Sequence, residues 1–172
     1  GFFQSEIEVF ASIAKRVELI EKDKNHFSRH PLVYLVEAAD DICYQIMDIE
    51  DAHKLGILST EFAKELYINF FDKKVNAKDI DRINSTLFEV TDINEQISFL
   101  RALVIGKLIN ECSKSFADSY DLIMKGEQIP PLIDCLEGSS LEAMKVVKKI
   151  SVEQIYNHKT VIEIELSGYR II

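Results

Sequence analysis

Residues 31–53 constrain the fold most, because their apolar and acidic side chains separate onto two sides of a helix. At 100° per residue, the acidic side falls within about 100° of arc. It comprises Glu37, Asp40, Asp41, Tyr44, Asp48 and Asp51. The other side comprises Leu35, Ala38, Ala39, Ile42, Cys43, Ile46 and Ile49. Pro31 suits a first helical turn and Gly56 a helix end. The pattern predicts an amphipathic helix whose apolar side packs into a bundle.

The acidic side of this helix lacks cations. Residues 31–53 contain six carboxylates but no Lys or Arg. Like charges three or four residues apart cost roughly 0.2–0.5 kcal/mol each. We therefore expect cations from elsewhere, either a metal ion or basic groups of the fold, with a simply solvated acidic face as the alternative. Asp40, Tyr44 and Asp48, spaced four residues apart, indicate a functional row of one hard-metal ligand and two hydrogen-bonding groups.

The rest of the chain also carries helical patterns and start and stop signals. Ser5 and Ser59 are predicted N-caps, Asn76 or Asp79 opens another helix, and Ser139 or Ser140 a later one. Residues 160–172 alternate like a strand but have no clear partner strand, so a helix is favoured. The predicted helices are 6–20, 60–71, 77–89, 93–125, 140–147, 152–156 and 160–172, with a polar connector at 21–29. The sequence thus predicts a single all-α bundle over residues 1–172.

Composition restricts the function classes. A net charge of −9 disfavours a uniformly basic nucleic-acid-binding surface. Cys43, Cys112 and Cys135 show no CxxC spacing and lie among apolar residues, which predicts buried free thiols and a reducing, cytoplasmic location. No signal peptide or transmembrane stretch is visible, so no membrane association is expected.

Residues 30–44, HPLVYLVEAADDICY, followed by the DIED of residues 48–51, closely resemble a signature of bacterial dGTP triphosphohydrolases. These enzymes are HD-domain phosphohydrolases. Residues 1–6, 99–102 and 165–170 are similar to other stretches of the family. The resemblance touches most of the chain and implies the C-terminal part of an HD-domain fold. The implied activity converts dGTP, or another dNTP, to a deoxynucleoside and triphosphate.

The resemblance assigns roles to four residues and a fallback. Asp40 matches the last of the family's metal ligands, for a divalent ion such as Mg²⁺ or Mn²⁺, and Asp41 is the fallback. Tyr44 and Asp48 match residues that hold the deoxyribose and its 3′-hydroxyl. Arg101 lies where related enzymes place basic residues that contact substrate or effector. The family's tendency to form oligomers implies a homo-oligomer.

The chain also departs from the family pattern. Its four histidines precede Phe27, Pro31, Lys54 and Lys159, so it contains no His-Asp dipeptide. The family holds its metal with a His, a His-Asp pair and a later Asp. We therefore expect the missing ligands in an N-terminal part of the same polypeptide, and expect the isolated chain to be inactive, because one carboxylate cannot fix a catalytic metal.

Other interpretations stay open. A non-catalytic helical interaction module would use the acidic stripe to bind a basic partner. An HD phosphohydrolase acting on another nucleotide would use the same residues. Lys145, Lys148 and Lys149 are interpreted as a solvated helix face, with a single-stranded DNA contact as the alternative.

Overall fold

The computed structural model describes residues 3–24 and 26–169, and it confirms the predicted all-α fold. In this described part the structure is about 74% helical, with eight helices and one small hairpin. The elements are α1 (Ile7–Arg16), β1 (Glu21–Asp23), β2 (His26–Phe27), α2 (Pro31–Lys54), α3 (Thr60–Ile68), α4 (Ala77–Glu89), α5 (Ile93–Asp118), α6 (Tyr120–Met124), α7 (Gly138–Ile150), a π-helical segment (Ser151–Tyr156) and α8 (Lys159–Tyr169). The predicted final helix is confirmed as far as Tyr169, and residues 170–172 lie outside the described part.

The core is centred on the packing of α2 against α5. Both helices bury apolar residues three or four positions apart, as an amphipathic helix must. On α2 these are Ala38, Ile42, Ile46 and Ile49, and on α5 they are Leu100, Val104, Leu108 and Cys112. Both buried stripes were predicted, although Leu103 of α5 is only half-buried at the edge of the core. α3, α7 and the 3-10 turn Leu132–Cys135 pack around this pair.

Side chains and backbone fix where the helices begin. The Ser59 hydroxyl accepts a hydrogen bond from the Phe62 backbone N–H at 3.2 Å, which confirms the predicted cap of α3. At the start of α2, His30 Nδ1 accepts from the Leu32 N–H at 3.2 Å, one residue before Pro31. Asn76 precedes α4 as predicted, but its side chain accepts from the Asp72 N–H instead of capping the helix.

The N-terminal region differs from its prediction. Ser5 lies inside a 3-10 turn, Gln4–Glu6, and does not cap α1. The helix ends at Arg16, before Ile20, because Glu18 adopts a positive φ of 57°. The predicted connector then forms the β1–β2 hairpin, in which the Phe27 ring meets the Phe10 ring edge-on at 5.9 Å. The polar connector predicted at 21–29 therefore contains strand pairing and an aromatic contact.

Two further boundaries are corrected. The predicted helix 93–125 divides at Ser119, which leaves helical geometry at φ −96° and ψ 0°. Ser139 and Ser140 lie within the first turn of α7 and do not cap it. Ser139 donates to the Phe70 carbonyl at 2.8 Å, and Ser140 donates to Glu111 at 2.9 Å. These hydroxyls bind neighbouring elements and so are not available to the α7 backbone.

The cysteines are free, but their predicted burial holds only for Cys112. Cys135 is half-buried, and Cys43 is exposed. Burial, with smaller contributions from Glu111 and Cys135, raises the pKa of the Cys112 thiol to about 11, so this thiol is unreactive at neutral pH.

A second apolar stripe of α2 faces outward. Cys43 and Ala39 were predicted on the packed side, but they are exposed because they lie beyond the edge of the stripe that meets α5. They belong to an exposed series at helical spacing, which we call the outer apolar stripe. It comprises Leu32, Val36, Ala39, Cys43 and Met47. No helix within residues 3–24 and 26–169 is long and apolar enough to cross a membrane.

Candidate functional site

Asp40, Tyr44 and Asp48 follow one another along the polar face of α2, one helical turn apart. Asp40 is exposed, Tyr44 is 56% exposed and Asp48 is half-buried. On a straight helix this polar row lies beside the outer apolar stripe, on the flank away from the buried core. The three predicted site residues therefore share one face, and their side chains are accessible from solvent.

Tyr156, which sequence reasoning missed, joins two residues of this row. Its hydroxyl donates a hydrogen bond to Asp48 Oδ2 at 2.6 Å. Its ring lies 5.8 Å from the Tyr44 ring, centroid to centroid, at an interplanar angle of 39°. Tyr156 comes from the end of the π-helical segment, which packs against α2. We call Tyr44, Asp48 and Tyr156 the tyrosine–aspartate cluster.

Protonation in the cluster is set mainly by burial. Burial raises the pKa of Asp48, the hydrogen bond from Tyr156 opposes this rise, and the nearby Asp51 carboxylate adds to it. The pKa of Tyr156 is raised by burial first, then by its bonds to Asp48 and Tyr44. Tyr156 therefore keeps its phenolic proton at neutral pH and acts as a hydrogen-bond donor to Asp48.

Asp41 points into different surroundings from Asp40. It is half-buried, and burial is the main reason that its pKa is raised. Lys148 opposes this rise, whereas Asp40 and Asp134 add to it. Of the two neighbouring acids, Asp40 is the more accessible to a ligand in solvent.

Basic groups from outside the predicted acidic stretch approach its two ends. Arg29 forms an ion pair with Glu37 and places its guanidinium 4.8 Å from the Tyr34 ring centroid. Lys54 Nζ lies 4.0 Å from Asp51 Oδ1. Among the described residues, no lysine or arginine forms a salt bridge with Asp40 or Asp48. Basic side chains of the fold thus reduce the charge repulsion at the two ends of the acidic face. Asp40 and Asp48, between these ends, have no such salt bridge among the described residues.

Arg101 was predicted to contact substrate, and in the structure it binds Glu50. Its guanidinium forms an ion pair with Glu50, and its second nitrogen donates to the Ser98 hydroxyl at 3.1 Å. Lys54 reaches the other Glu50 oxygen at 2.9 Å. Glu50 lies about 160° around α2 from Asp48 on an ideal helix. Arg101 therefore lies in the α2–α5 interface, on a different side of α2 from the cluster that Tyr44 and Asp48 form with Tyr156.

The described residues do not make a metal site by themselves. They contain no group of three or more His, Cys, Asp or Glu side chains placed to hold an ion. Catalytic metal ions need several ligands at fixed geometry. Asp40 could therefore supply one ligand, and the others would have to come from another segment.

The lysines of α7 each lie near an acid. Lys145 is 2.8 Å from Glu142, Lys148 is 3.7 Å from Asp134, and Lys149 is 3.9 Å from Glu153. This neutralisation agrees with the interpretation as a solvated face. The single-stranded DNA contact stays a prediction.

No protein-family model matches the chain. Individual relatives do match it over nearly its whole length. A deoxyguanosinetriphosphate triphosphohydrolase-like protein of Synechocystis sp. is 31% identical over 174 residues, which covers 100% of this chain and 37% of the relative. One from Pseudomonas aeruginosa is 27% identical over 169 residues, 98% of this chain and 37% of the relative. A deoxyguanosinetriphosphate triphosphohydrolase of Yersinia enterocolitica is 28% identical over 182 residues, 100% of this chain and 34% of the relative.

These matches confirm the resemblance found in the sequence. The chain spans about a third of the length of the curated relatives it matches. It is therefore related, along its whole length, to a segment of the deoxyguanosinetriphosphate triphosphohydrolases and the proteins named as similar to them.

Proposed function

We propose that this chain is part of an HD-type deoxynucleoside triphosphate triphosphohydrolase, which cleaves dGTP to deoxyguanosine and triphosphate. The observation that carries the proposal is the match of the whole chain to proteins of that name. The accessible polar row of α2 supports it, because the row places a free carboxylate one turn from a half-exposed tyrosine.

In this proposal the row divides into a metal end and a sugar end. Asp40 supplies one ligand to a divalent ion such as Mg²⁺ or Mn²⁺. The bound ion would offset phosphate charge and lower the pKa of the water that attacks the α-phosphorus. Tyr44 packs its ring against the deoxyribose, and Asp48 accepts a hydrogen bond from the 3′-hydroxyl. Both contacts would orient the nucleotide. Cleavage of the bond at the α-phosphorus would take place at the Asp40 end of the row.

The remaining ligands, in this proposal, belong to a segment outside the described residues. The relatives are nearly three times as long as the matched region, so they contain sequence that can supply them. The outer apolar stripe offers a place for such a segment, because Val36 and Met47 leave apolar surface exposed along the same helix as Asp40. We therefore place the missing His and His-Asp ligands on a segment that covers this stripe.

The competing interpretation is a helical interaction module that binds a basic partner through the acidic face. The ion pair between Glu37 and Arg29 weighs against it, because a basic partner would have to compete with Arg29 for that carboxylate. The uncharged outer apolar stripe would also contribute little to recognition of a basic partner. The enzyme proposal accounts for both features: Asp40 and Asp48 bind metal and sugar, and the outer apolar stripe packs against another segment.

The test is Asp40→Ala in the intact protein that contains this chain. We expect metal-dependent dGTP hydrolysis to be abolished while the far-ultraviolet circular dichroism spectrum stays unchanged, because Asp40 is exposed and stabilises no described contact. Asp51→Ala is the matched control, since it removes an exposed carboxylate of the same helix and should retain turnover. Normal turnover in the Asp40 variant would refute the proposed role. Product analysis with all four dNTPs identifies the preferred base, and sedimentation analysis tests the expected homo-oligomer.

A further inference from the structure

We propose that Tyr156 is a positioning residue that orients Asp48 toward the 3′-hydroxyl of the nucleotide sugar. The inference rests on the proposed function and extends it to a residue 108 positions away in the sequence. Tyr156 would act through the aspartate and would not contact the reacting phosphate.

The Tyr156 hydroxyl forms a hydrogen bond with Asp48 that the ring alone could not provide. Packing of the ring against Tyr44 needs only an aromatic side chain, which phenylalanine would also provide, whereas the hydroxyl forms hydrogen bonds with both Asp48 and Tyr44. The hydroxyl adds a 2.6 Å bond to Asp48 Oδ2, which is short, as expected for a bond to a charged acceptor.

The hydrogen bond from Tyr156 leaves Asp48 able to bind a ligand. A carboxylate offers about four lone-pair positions on two oxygens. Tyr156 uses one of them on Oδ2, and no described side chain forms a salt bridge with Asp48. A neutral tyrosine has one hydroxyl proton, so it can donate one hydrogen bond to Asp48. That bond orients the carboxylate and leaves its other oxygen without a donor from Tyr156. Oδ1 is thereby left for a hydroxyl of a bound sugar.

Tyr156 is itself anchored by its segment and can therefore orient another side chain. The π-helical segment buries Ile155 in the core cluster next to Tyr156. At its end, the Asn157 side-chain amide donates to the Val152 carbonyl at 2.6 Å. Because this segment is anchored and contacts α2, the hydrogen bond from Tyr156 can hold Asp48 in one rotamer. A fully solvated aspartate would exchange between several rotamers.

The test compares Tyr156→Phe with wild type in the intact protein, using dGTP and 2′,3′-dideoxyGTP, which lacks only the 3′-hydroxyl. We expect the ratio of kcat/KM for the two substrates to fall about tenfold, with hydrolysis of the dideoxy substrate nearly unchanged. Asp48→Asn should lower the same ratio, and adding Tyr156→Phe to it should have little further effect.

Tyr67→Phe is the matched control. The Tyr67 hydroxyl also binds α2, at the Ile46 carbonyl 3.0 Å away, but it does not reach Asp48. This variant should lower stability and leave the substrate ratio unchanged. If Tyr156→Phe instead lowers kcat/KM equally for both substrates, or leaves the ratio at its wild-type value, the positioning role is wrong and the proposed function stands. If the wild-type protein does not hydrolyse dGTP at all, the proposed function fails and this inference fails with it.

Discussion

Arg101→Met should destabilise the fold strongly, because the buried Glu50 carboxylate would keep only Lys54 as a cationic partner. The Glu50 side chain is only 7% exposed, and the Arg101 side chain is 26% exposed. Removing one partner of a fully buried ion pair costs about 3–5 kcal/mol. Lys54 remains 2.9 Å from Glu50 and water can reach the Arg101 position, so we expect a smaller loss of about 2–3 kcal/mol.

Urea unfolding followed by circular dichroism measures this loss. With a slope of about 2 kcal/mol per molar urea, the midpoint should fall by about 1–1.5 M. Lys54→Met should cost no more than about 0.5 kcal/mol, because that lysine is half exposed and pairs within one helix. The double variant Arg101→Met with Glu50→Gln should recover about 1 kcal/mol or more, since it no longer buries an unpaired charge.

The double variant also separates the two roles considered for Arg101. Under the proposed function, if the arginine serves only the α2–α5 interface, the double variant of the intact protein should recover much of the dGTP hydrolysis along with stability. If it also contacts substrate, the double variant should be stable and inactive. A midpoint that Arg101→Met leaves within 0.2 M of wild type, a span of about 0.4 kcal/mol, would refute the structural argument altogether.

Three further changes test the fold and the cluster by urea unfolding. Ser59→Ala should cost about 1 kcal/mol by removing the cap of α3, and an unchanged midpoint would contradict that role. Leu100→Ala should cost about 2–5 kcal/mol, because the side chain is fully buried and leaves a cavity; a loss below 1 kcal/mol would mean that α5 packs differently. Folding raises the pKa of Asp48 above 3.8, mainly by burial, so its ionised form destabilises the fold at pH values above both pKa values. Asp48→Asn should therefore raise the midpoint at pH 7, with the gain disappearing as the pH falls below 3.8; a midpoint lowered at pH 7 would reverse this sign.

The helices could be predicted from sequence because their signals are local. The buried stripe of α2, with Ile42 and Ile46, follows from spacing alone, and the Ser59 cap follows from a hydroxyl next to an apolar run. Two helix ends were mispredicted because of local backbone geometry at Glu18 and Ser119, and the start of α7 was mispredicted because distant groups bind its serines. Ser139, for example, was a predicted cap of α7, but its hydroxyl donates a hydrogen bond to the Phe70 carbonyl, 69 residues earlier in the chain.

The polar row could be predicted, but its neighbours could not. Asp40, Tyr44 and Asp48 share a face by helical geometry, whatever the rest of the chain does. Tyr156 reaches Asp48 only through the tertiary packing of a π-helical segment, and nothing in the local sequence marks it. Glu50 carried a usable signal, because its angle on α2 separates it from the other acids, but its pairing with Arg101 depends on how α5 packs.

The three faces of α2 explain why the candidate site is open on one side. One face, with Ile42 and Ile46, is buried against α5, and another, the outer apolar stripe, is exposed. The polar row is bounded on one side by Tyr156 and on the other by the stripe. A segment that covered the stripe would enclose the row from its second side. Enclosure removes water from the carboxylates, and charges attract a cation more strongly in such surroundings than at an open surface. Under the proposed function, the same packing would therefore bring the remaining metal ligands to the row and strengthen the binding of a divalent ion by Asp40.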